Sequence, residues 1–449
     1  MRPGRWRLAL AAIVAVGTTV RALHVTVVLR DVEPGLDAVW YTLQAGAIRE
    51  GKGYVVPASL FTDELVPTAG FPPAYPAVQA VWRTVIGAEL TQVRLLGTAL
   101  AIVTIVATAL IGRRVIGPRA GLVAAAVVAV DPFLVASDGA GMSEALSVPL
   151  VTVAVLLACR LLDRGLRPWG AVSLGAVCGV AALTRQDLLV MAPVFLVAVA
   201  AVGRTPDLRR RVLAAGLGLL VAAAVVVPWA VRNQQQVGSF TVATMSGPSA
   251  LAGANCDPTY YGASIGSWEF SCVVPAQRFD LDEGGQSAVL QRAATSYARA
   301  HLSRLPVVVA ARELRVWGLW TRDDHVRREI EEVRNPRWSE LTWMVTPLLV
   351  VTGFWGLVRT CRRDLRRTFP LLLPPLLVMM TAAASHGNPR FSAIAHPMLA
   401  VGAAAIADAA VVRWRARSAP ERNGAEPGDG SGEHVEDRVD VGRGGAPAE

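Results

Sequence analysis

The sequence predicts an all-α polytopic membrane protein of about ten transmembrane helices, and three observations predict it. First, 53% of its 449 residues are hydrophobic and 18% charged, with a mean hydropathy of +0.41. Soluble domains hold roughly 45–50% apolar and about 25% charged residues. Second, apolar runs near the length a bilayer-crossing helix needs, about 20 residues, recur along the chain. Third, the net charge of +9 lies in clusters between those runs, almost wholly as arginine, since Lys52 is the only lysine. This composition excludes disorder over most of the length, a collagen-like chain and a disulfide-dense secreted scaffold. A pI near 9.9 would suit a nucleic-acid binder, so the placement of the arginines is decisive.

The runs fall at 8–29, 92–111, 118–131, 143–161, 169–184, 188–203, 212–231, 341–358, 368–385 and 392–412. Arg2, Arg5 and Arg7 precede the first. Every second connection then repeats the pattern: Arg113, Arg114, Arg119; Arg160, Arg164, Arg167; Arg204, Arg209, Arg210, Arg211; Arg359, Arg362, Arg363, Arg366, Arg367; and finally Arg413, Arg415, Arg417. The alternate short connections are nearly bare: 132–142 has no Lys or Arg, 185–187 has only Arg185, and 386–391 only Arg390. By the positive-inside rule the rich side is cytoplasmic, both termini lie inside the cell membrane, and five loops face out. The basic charge is a topology signal, not a nucleic-acid footprint.

The first run lacks a small-residue cleavage site and continues past Arg21 to Leu29, so it reads as a span, not a signal peptide. The segment 305–320 is apolar but broken by Arg312, Glu313 and Arg315. As a span it would put the arginines of 359–367 outside, so it reads as an interfacial amphipathic helix with Trp317 and Trp320 at headgroup level. The organisation is then a seven-span module (1–231) with a first outer loop at 30–90, a long extracytoplasmic loop (232–340), three C-terminal spans (341–415) and a disordered cytoplasmic tail (416–449) rich in Gly, Pro, Glu and Asp.

Both outer loops exceed the length of mere connectors. In the first, Leu36, Val39, Trp40, Leu43 and Ala47 make an apolar stripe at helical spacing, with Asp37, Tyr41 and Gln44 beside it. A helix lying on the outer membrane surface would carry that polar group along the interface. Pro34-Gly35 precedes it, Gly51-Lys52-Gly53 ends it, and a second amphipathic segment spans 77–87. Of five cysteines, Cys159, Cys178 and Cys361 lie in helices or inside and should be free thiols. Cys256 and Cys272 share the long outer loop, where oxidising conditions permit a disulfide contributing about 3 kcal/mol. The alternative is two unrelated thiols; no His accompanies them as a metal site would require.

Several motifs now stand in order on one side: Asp37-x-x-x-Tyr41-x-x-x-Ala45, Gly51-x-Gly53-Tyr54, Pro67-Thr68-Ala69-x-x-Pro72-Pro73-x-Tyr75-Pro76, Ser143-Glu144, Leu183-Thr184-Arg185, Ala254-Asn255-Cys256-Asp257-Pro258-Thr259-Tyr260-Tyr261-Gly262 with Trp268 and Cys272, and Arg390-Phe391. Over about residues 5–415 this set resembles the GT-C glycosyltransferases, in particular an actinobacterial branch related to protein O-mannosyltransferases and aminoarabinose transferases. Phe71 departs from the pattern, which favours His there. The resemblance implies transfer of a sugar from a polyprenyl-phosphate donor to a glycan, lipid or protein acceptor at the outer face. A membrane-carried donor also suits a site outside the cell, where nucleotide sugars are absent. No phosphate-binding loop or dinucleotide fingerprint argues for an ATP-driven pump.

Asp37 is the candidate general base for the acceptor hydroxyl, against the plain reading of an acid favoured by the helix dipole in a first turn. Asp31, Asp63 and Glu64 are weaker carboxylates. Arg185 breaks the positive-inside pattern and offers bidentate geometry to a donor phosphate, or pairs with Asp187, which also completes a capping box with Thr184. Arg390, with His386 and Asn388 beside it, is the second phosphate or sugar contact, or a snorkelling helix-end residue. Ser143-Glu144 reads as N-cap and first-turn acid, or as substrate contact. Asp138 could face the same cavity, and Tyr41, Trp40 and Tyr75 could stack on sugar or line a lipid groove. Arg21 within the first span is functional or snorkels outward. No metal ligand set is assigned, and a divalent cation is the one cofactor left open. The rival readings are a lipid-linked sugar flippase, against which the lack of inverted repeats counts, and a ligase of whole lipid-linked glycans.

Overall fold

Each expected apolar run becomes a helix in the computed structural model, which describes residues 2–203, 207–278, 280–332 and 334–417; the tail expected to be disordered lies, from 418 on, outside the described residues. The helices are α1 (Pro3–Leu23, continuing as a π-helical turn His24–Val28), α2 (Leu36–Arg49), α3 (Ala74–Val85), α4 (Leu90–Val115), α5 (Pro118–Val130), α6 (Pro132–Gly139), α7 (Glu144–Arg164), α8 (Pro168–Ala182), α9 (Met191–Val202) and α10 (Leu208–Gln236). The long loop carries α11 (Gly247–Ala254), α12 (Asp257–Tyr261), α13 (Glu283–Ala300), α14 (Leu305–Val316) and α15 (Arg322–Glu331), and α16 (Pro336–Arg363), α17 (Leu365–Ala384) and α18 (His396–Arg417) follow. Among the described residues the only β pairing is an isolated bridge between Val55 and Pro67. One compact unit extends over Met1–Ala409, and the end of α18 from Ala410 is a unit of its own.

Among the described residues, seven helices are long and apolar enough to cross a bilayer: α1 with its π turn, α4, α7, α10, α16, α17 and α18. An eighth arises if α5 and α6, bent by 53° at Asp131, act as one broken span; Pro168–Ala182 and Gln186–Val202 are shorter apolar helices. The segment 132–142, expected as a bare loop, is instead mostly α6, buried along its whole length. Pro132 cannot donate the next helical hydrogen bond, and Asp131 caps the new helix through Phe133 N, so the chain restarts at an angle.

Small residues let these helices approach. A Cβ on Gly175 of α8 would lie 2.0 Å from Gly218 O of α10, and one on Gly356 of α16 would lie 1.8 Å from Gly402 O of α18. The arginine-bearing helix ends gather at one end of the bundle. There Arg113 lies over Trp6, Asp163 receives Arg114 at 2.7 Å and Arg367 at 3.4 Å, and Arg366 donates to Val202 O. Arg211 donates to Ala200 O at the end of α9.

Arg21 does not snorkel. It is buried, donating to Asp138 Oδ2 at 2.7 Å and to the carbonyls of Ala129 and Val128 where α5 ends. The same break is tied to the last helix by His396 Nδ1 and Asp131 Oδ2, 2.6 Å apart.

In the long loop Cys256 and Cys272 are disulfide-bonded with Cα atoms 6.2 Å apart, and Cys159, Cys178 and Cys361 are free and buried. The segment 305–320 is a helix, but Trp317 is not interfacial. It is buried edge-on to Phe354 of α16, because Gly318 turns the chain with φ +67° and folds the tryptophan inward.

Candidate functional site

Helix α2 turns its polar face into the protein. Tyr41, Gln44, Ala38 and Ala45 are buried, while Leu36 and Val39 are exposed, the reverse of a soluble amphipathic helix and the arrangement expected where apolar side chains meet lipid. The Gln44 amide pairs with Val55 N and O, and Tyr41 packs among Phe71, Tyr75 and Trp40 at centroid distances of 5.3, 5.2 and 6.0 Å. Phe71 thus fills the aromatic cluster beside Asp37. The Pro67-Thr68-Ala69 segment is gripped from afar: Glu283 of α13 accepts from Thr68 Oγ1 and Ala69 N, and Arg232 of α10 donates to Thr68 O and Tyr54 O.

At the first turn of α2, Asp37 Oδ2 accepts from Arg390 Nη1 at 2.9 Å. The same nitrogen donates to Glu332 Oε2 at 2.9 Å. Arg390 Nε lies 3.4 Å from Glu144 Oε1, which also accepts from Arg185 Nη1 at 2.8 Å. Arg185 in turn holds Asp187 with two bonds of 3.2 Å and lies over the Phe391 ring. Four carboxylates and two guanidiniums, drawn from α2, α7, the 183–190 turn, the end of α15 and the 385–395 turn, therefore form one network. Asn388 orients it twice, capping the short helix that bears Arg390 through Arg390 N and donating to Glu332 Oε1 at 2.9 Å.

The carboxylates are not equivalent. The Glu144 side chain is 2% exposed, with Oε2 lacking any partner among the described residues, whereas Asp37 is 32% exposed and the most open of the three on Arg390. Burial raises the Asp37 carboxyl above the usual range; Arg390 opposes this, and Glu332 and Glu144 add to it. At Glu332 burial works the same way but is outweighed by Arg390, Asn388 and Arg334, which hold its carboxyl below the usual range. Arg390, although desolvated, is held firmly protonated by Glu332, Glu144 and Asp37. His386 is pushed down to about 3 by burial and by Arg390, Arg312, Arg328 and Arg185, so it is a neutral ring; Ser385 Oγ lies 2.9 Å from its Nδ1.

The structure thus brings together Asp37, Glu144, Arg185 and Arg390, with Tyr41 behind Asp37 and His386 against Phe391 at 5.0 Å. Asp138 is not among them: its carboxylate is spent on Arg21. Thr184 and Asp187 do not form a capping box, since Thr184 Oγ1 donates back to Ala181 O and Asp187 takes Arg185 and Thr381. Glu332 escaped the sequence reading because it sits in a helical charge run (Arg327–Glu332) that looks like a solvated face; only its place two residues before Arg334-Asn335-Pro336, a chain reversal, set it apart. A divalent cation does not fit. Among the described residues no three His, Cys, Asp or Glu side chains converge as ligands, and the centre where Asp37, Glu332 and Glu144 meet is filled by the Arg390 guanidinium.

This bundle, with its two long loops on the side opposite the arginine-rich ends, is an all-helical multi-pass membrane fold. Residues 71–231 match the family model of dolichyl-phosphate-mannose-protein mannosyltransferase. Among solved structures, the Archaeoglobus fulgidus oligosaccharyltransferase tethered with an acceptor peptide is similar at a TM-score of 0.55 and 14% identity, covering 91% of this chain and 51% of that one. The same enzyme in complex with Zn and sulfate gives a TM-score of 0.53 at 12% identity, covering 90% and 50%. ArnT from Cupriavidus metallidurans, bound to undecaprenyl phosphate, gives 0.42 at 15%, covering 91% and 79%. The chain spans about half the length of the oligosaccharyltransferase structures it matches. No curated protein sequence matches it.

Proposed function

We propose that this protein is an integral membrane glycosyltransferase that moves a hexosyl or pentosyl group from a polyprenyl-phosphate-linked donor to a glycan, lipid or protein acceptor. The termini lie in the cytoplasm and the transfer occurs at the outer face of the cell membrane. The observation that carries this reading is the Asp37–Arg390 contact, which joins the most exposed carboxylate of the network to a guanidinium that shares Glu144 with Arg185. Two arginines bridged by one oxygen suit the single phosphate of such a donor.

In this reading Asp37 takes the proton of the acceptor hydroxyl while that oxygen attacks the anomeric carbon. The bond from that carbon to the phosphate oxygen breaks, and polyprenyl phosphate leaves with its charge beside Arg390 and Arg185. The outcome is a single inverting displacement. Donor phosphate and Asp37 compete for Arg390, so donor binding loosens the base at the moment it is needed. The raised Asp37 carboxyl suits the role, because a base works best with a proton affinity near the operating pH. Glu144 and Asp187 position the arginines, and Tyr41 backs the α2 turn.

Membranes containing Asp37→Asn, supplied with radiolabelled polyprenyl-phosphate mannose or arabinose, test this. The expected result is normal protein abundance with no label leaving the lipid, whereas the unaltered protein transfers one of the two sugars. Full transfer by Asp37→Asn would remove Asp37 as base. Label that crosses the bilayer while still on its lipid, in the unaltered protein, would favour the flippase reading.

A further inference from the structure

The arginine-rich end of the bundle holds a cavity of about 660 Å³ between the 163–168 connection and the first turns of α10. Its rim carries Arg164, Arg167 and Arg210, and its wall is Leu166, Leu213 and Leu217. On α10 the lining residues follow one face, with Arg210 first and Leu213, Ala214 and Leu217 three, four and seven residues on. Charge therefore sits at the mouth and apolar surface leads toward the bilayer interior over about 10 Å. Leu213 is 61% exposed, so this wall is uncovered by protein. The one acid in the lining, Asp163, is already engaged by Arg114 and Arg367, and among the described residues the one ion-pair partner of Arg210 is Asp207 at 3.3 Å. Neither Arg164 nor Arg167 has an ion-pair partner among the described residues. Next to Leu217, α8 and α10 close onto each other at Gly175 and Gly218, and Trp169, 82% exposed, follows the lining residue Pro168.

We infer that this cavity is a binding site for an anionic glycerophospholipid, whose phosphate is held by Arg164, Arg167 and Arg210 and whose acyl chain lies along Leu213 and Leu217. Guanidinium groups pair with phosphate oxygens bidentately, and basic pockets between helices at the cytoplasmic membrane surface select acidic headgroups. Charge complementarity singles out this occupant. A zwitterionic lipid brings its own cation to a mouth that already has an excess of them, and a free phosphate would leave the apolar wall bare.

Native mass spectrometry of the full-length protein in detergent, with phosphatidylglycerol or phosphatidylcholine added, tests the site. One phosphatidylglycerol should remain bound, with phosphatidylcholine retained at least tenfold less. Arg164→Gln/Arg167→Gln should weaken phosphatidylglycerol at least tenfold, while Arg362→Gln/Arg363→Gln, an equal loss of exposed charge on the same side, should leave it unchanged. Leu213→Asn/Leu217→Asn keeps every arginine and should also lose the lipid, which covers the case in which the arginine variant fails to fold. Equal retention of both lipids, equal loss in the Arg362/Arg363 control, or full retention in both cavity variants would overturn the proposal. Displacement of the lipid by millimolar inorganic phosphate would do so as well, since it would mark a free-anion site.

Discussion

At the first residue of α7, Glu144 shares one buried oxygen between Arg185 and Arg390; at its last residue, Arg164 has no carboxylate partner among the described residues. These two ends bound one helix of 21 residues, about 30 Å long, the thickness of a bilayer's hydrocarbon core. At the first end the two network arginines, Arg185 and Arg390, are each matched to several acids. At the second, clustered arginines are mostly exposed and answered mainly by Asp163. The contrast separates two uses of one side chain. Unmatched arginines on one side orient a membrane protein through their number, whereas matched arginines on the other build a site through their geometry.

The hardest test of that contrast is Arg390→Ala. It leaves Asp37, Glu332 and Glu144 short of their shared cation, and losing one partner of a buried ion network destabilises by about 3–5 kcal/mol. Sugar transfer should vanish and the thermal midpoint in detergent should fall by many degrees. A stable, active variant would reduce the outer network to surface pairing. Arg21→Leu should be nearly as destabilising, since it strands Asp138 in the membrane domain. The double variant Arg21→Leu/Asp138→Leu should recover most of that stability and keep transfer activity, because this pair serves packing and lies outside the Arg390 network. Loss of activity in a stable double variant would restore Asp138 to the site.

A subtler test is pH. Asp37 binds its proton more readily in the folded chain than in the unfolded one, so its burial weakens the fold as pH rises past the ordinary carboxylate range toward its raised value. Glu332, held below that range, contributes stability that is complete at neutral pH and is lost as pH falls through its lowered value. Transfer should therefore fail on acidification above the ordinary carboxylate value of about 3.9. Glu332→Gln, which removes a neighbouring charge that raises Asp37, should move this acidic limb of the pH–rate profile to lower pH. Smallest of all, Arg362→Gln/Arg363→Gln should alter stability by less than about 0.5 kcal/mol and leave transfer unchanged.

Much of this was legible in the sequence. The apolar runs at 8–29 through 392–412 are all helices, and the arginines that broke the inside pattern, Arg185 and Arg390, meet Asp37 and Glu144. Hydropathy and charge asymmetry are local signals, and they carried that far. Pairings across the chain were not legible. Arg21 and Asp138 are 117 residues apart, and nothing near either says that a charge in one span has its counterpart in a buried helix read as a loop. Glu332 was hidden because Glu331 and Glu332 end an amphipathic charge run in which most acids do face water. Trp317 was misplaced because interfacial tryptophan is the commoner fate of that residue beside arginines, and only the turn at Gly318 sends it inward.

The Asp37–Arg390 contact spans 353 residues, and that distance has a meaning in time. At 5–20 residues per second, translation needs roughly 20–70 s to bring Arg390 out after Asp37. Once Glu144 has followed Asp37, the nascent chain inserts helix after helix with both acids present and the cation that joins them still unmade. A ribosome that stalls or terminates before residue 390 thus releases a chain with most of its membrane helices, in which Glu144 has Arg185 but Asp37 lacks its guanidinium. The network therefore closes only late in synthesis, long after its first member has been made.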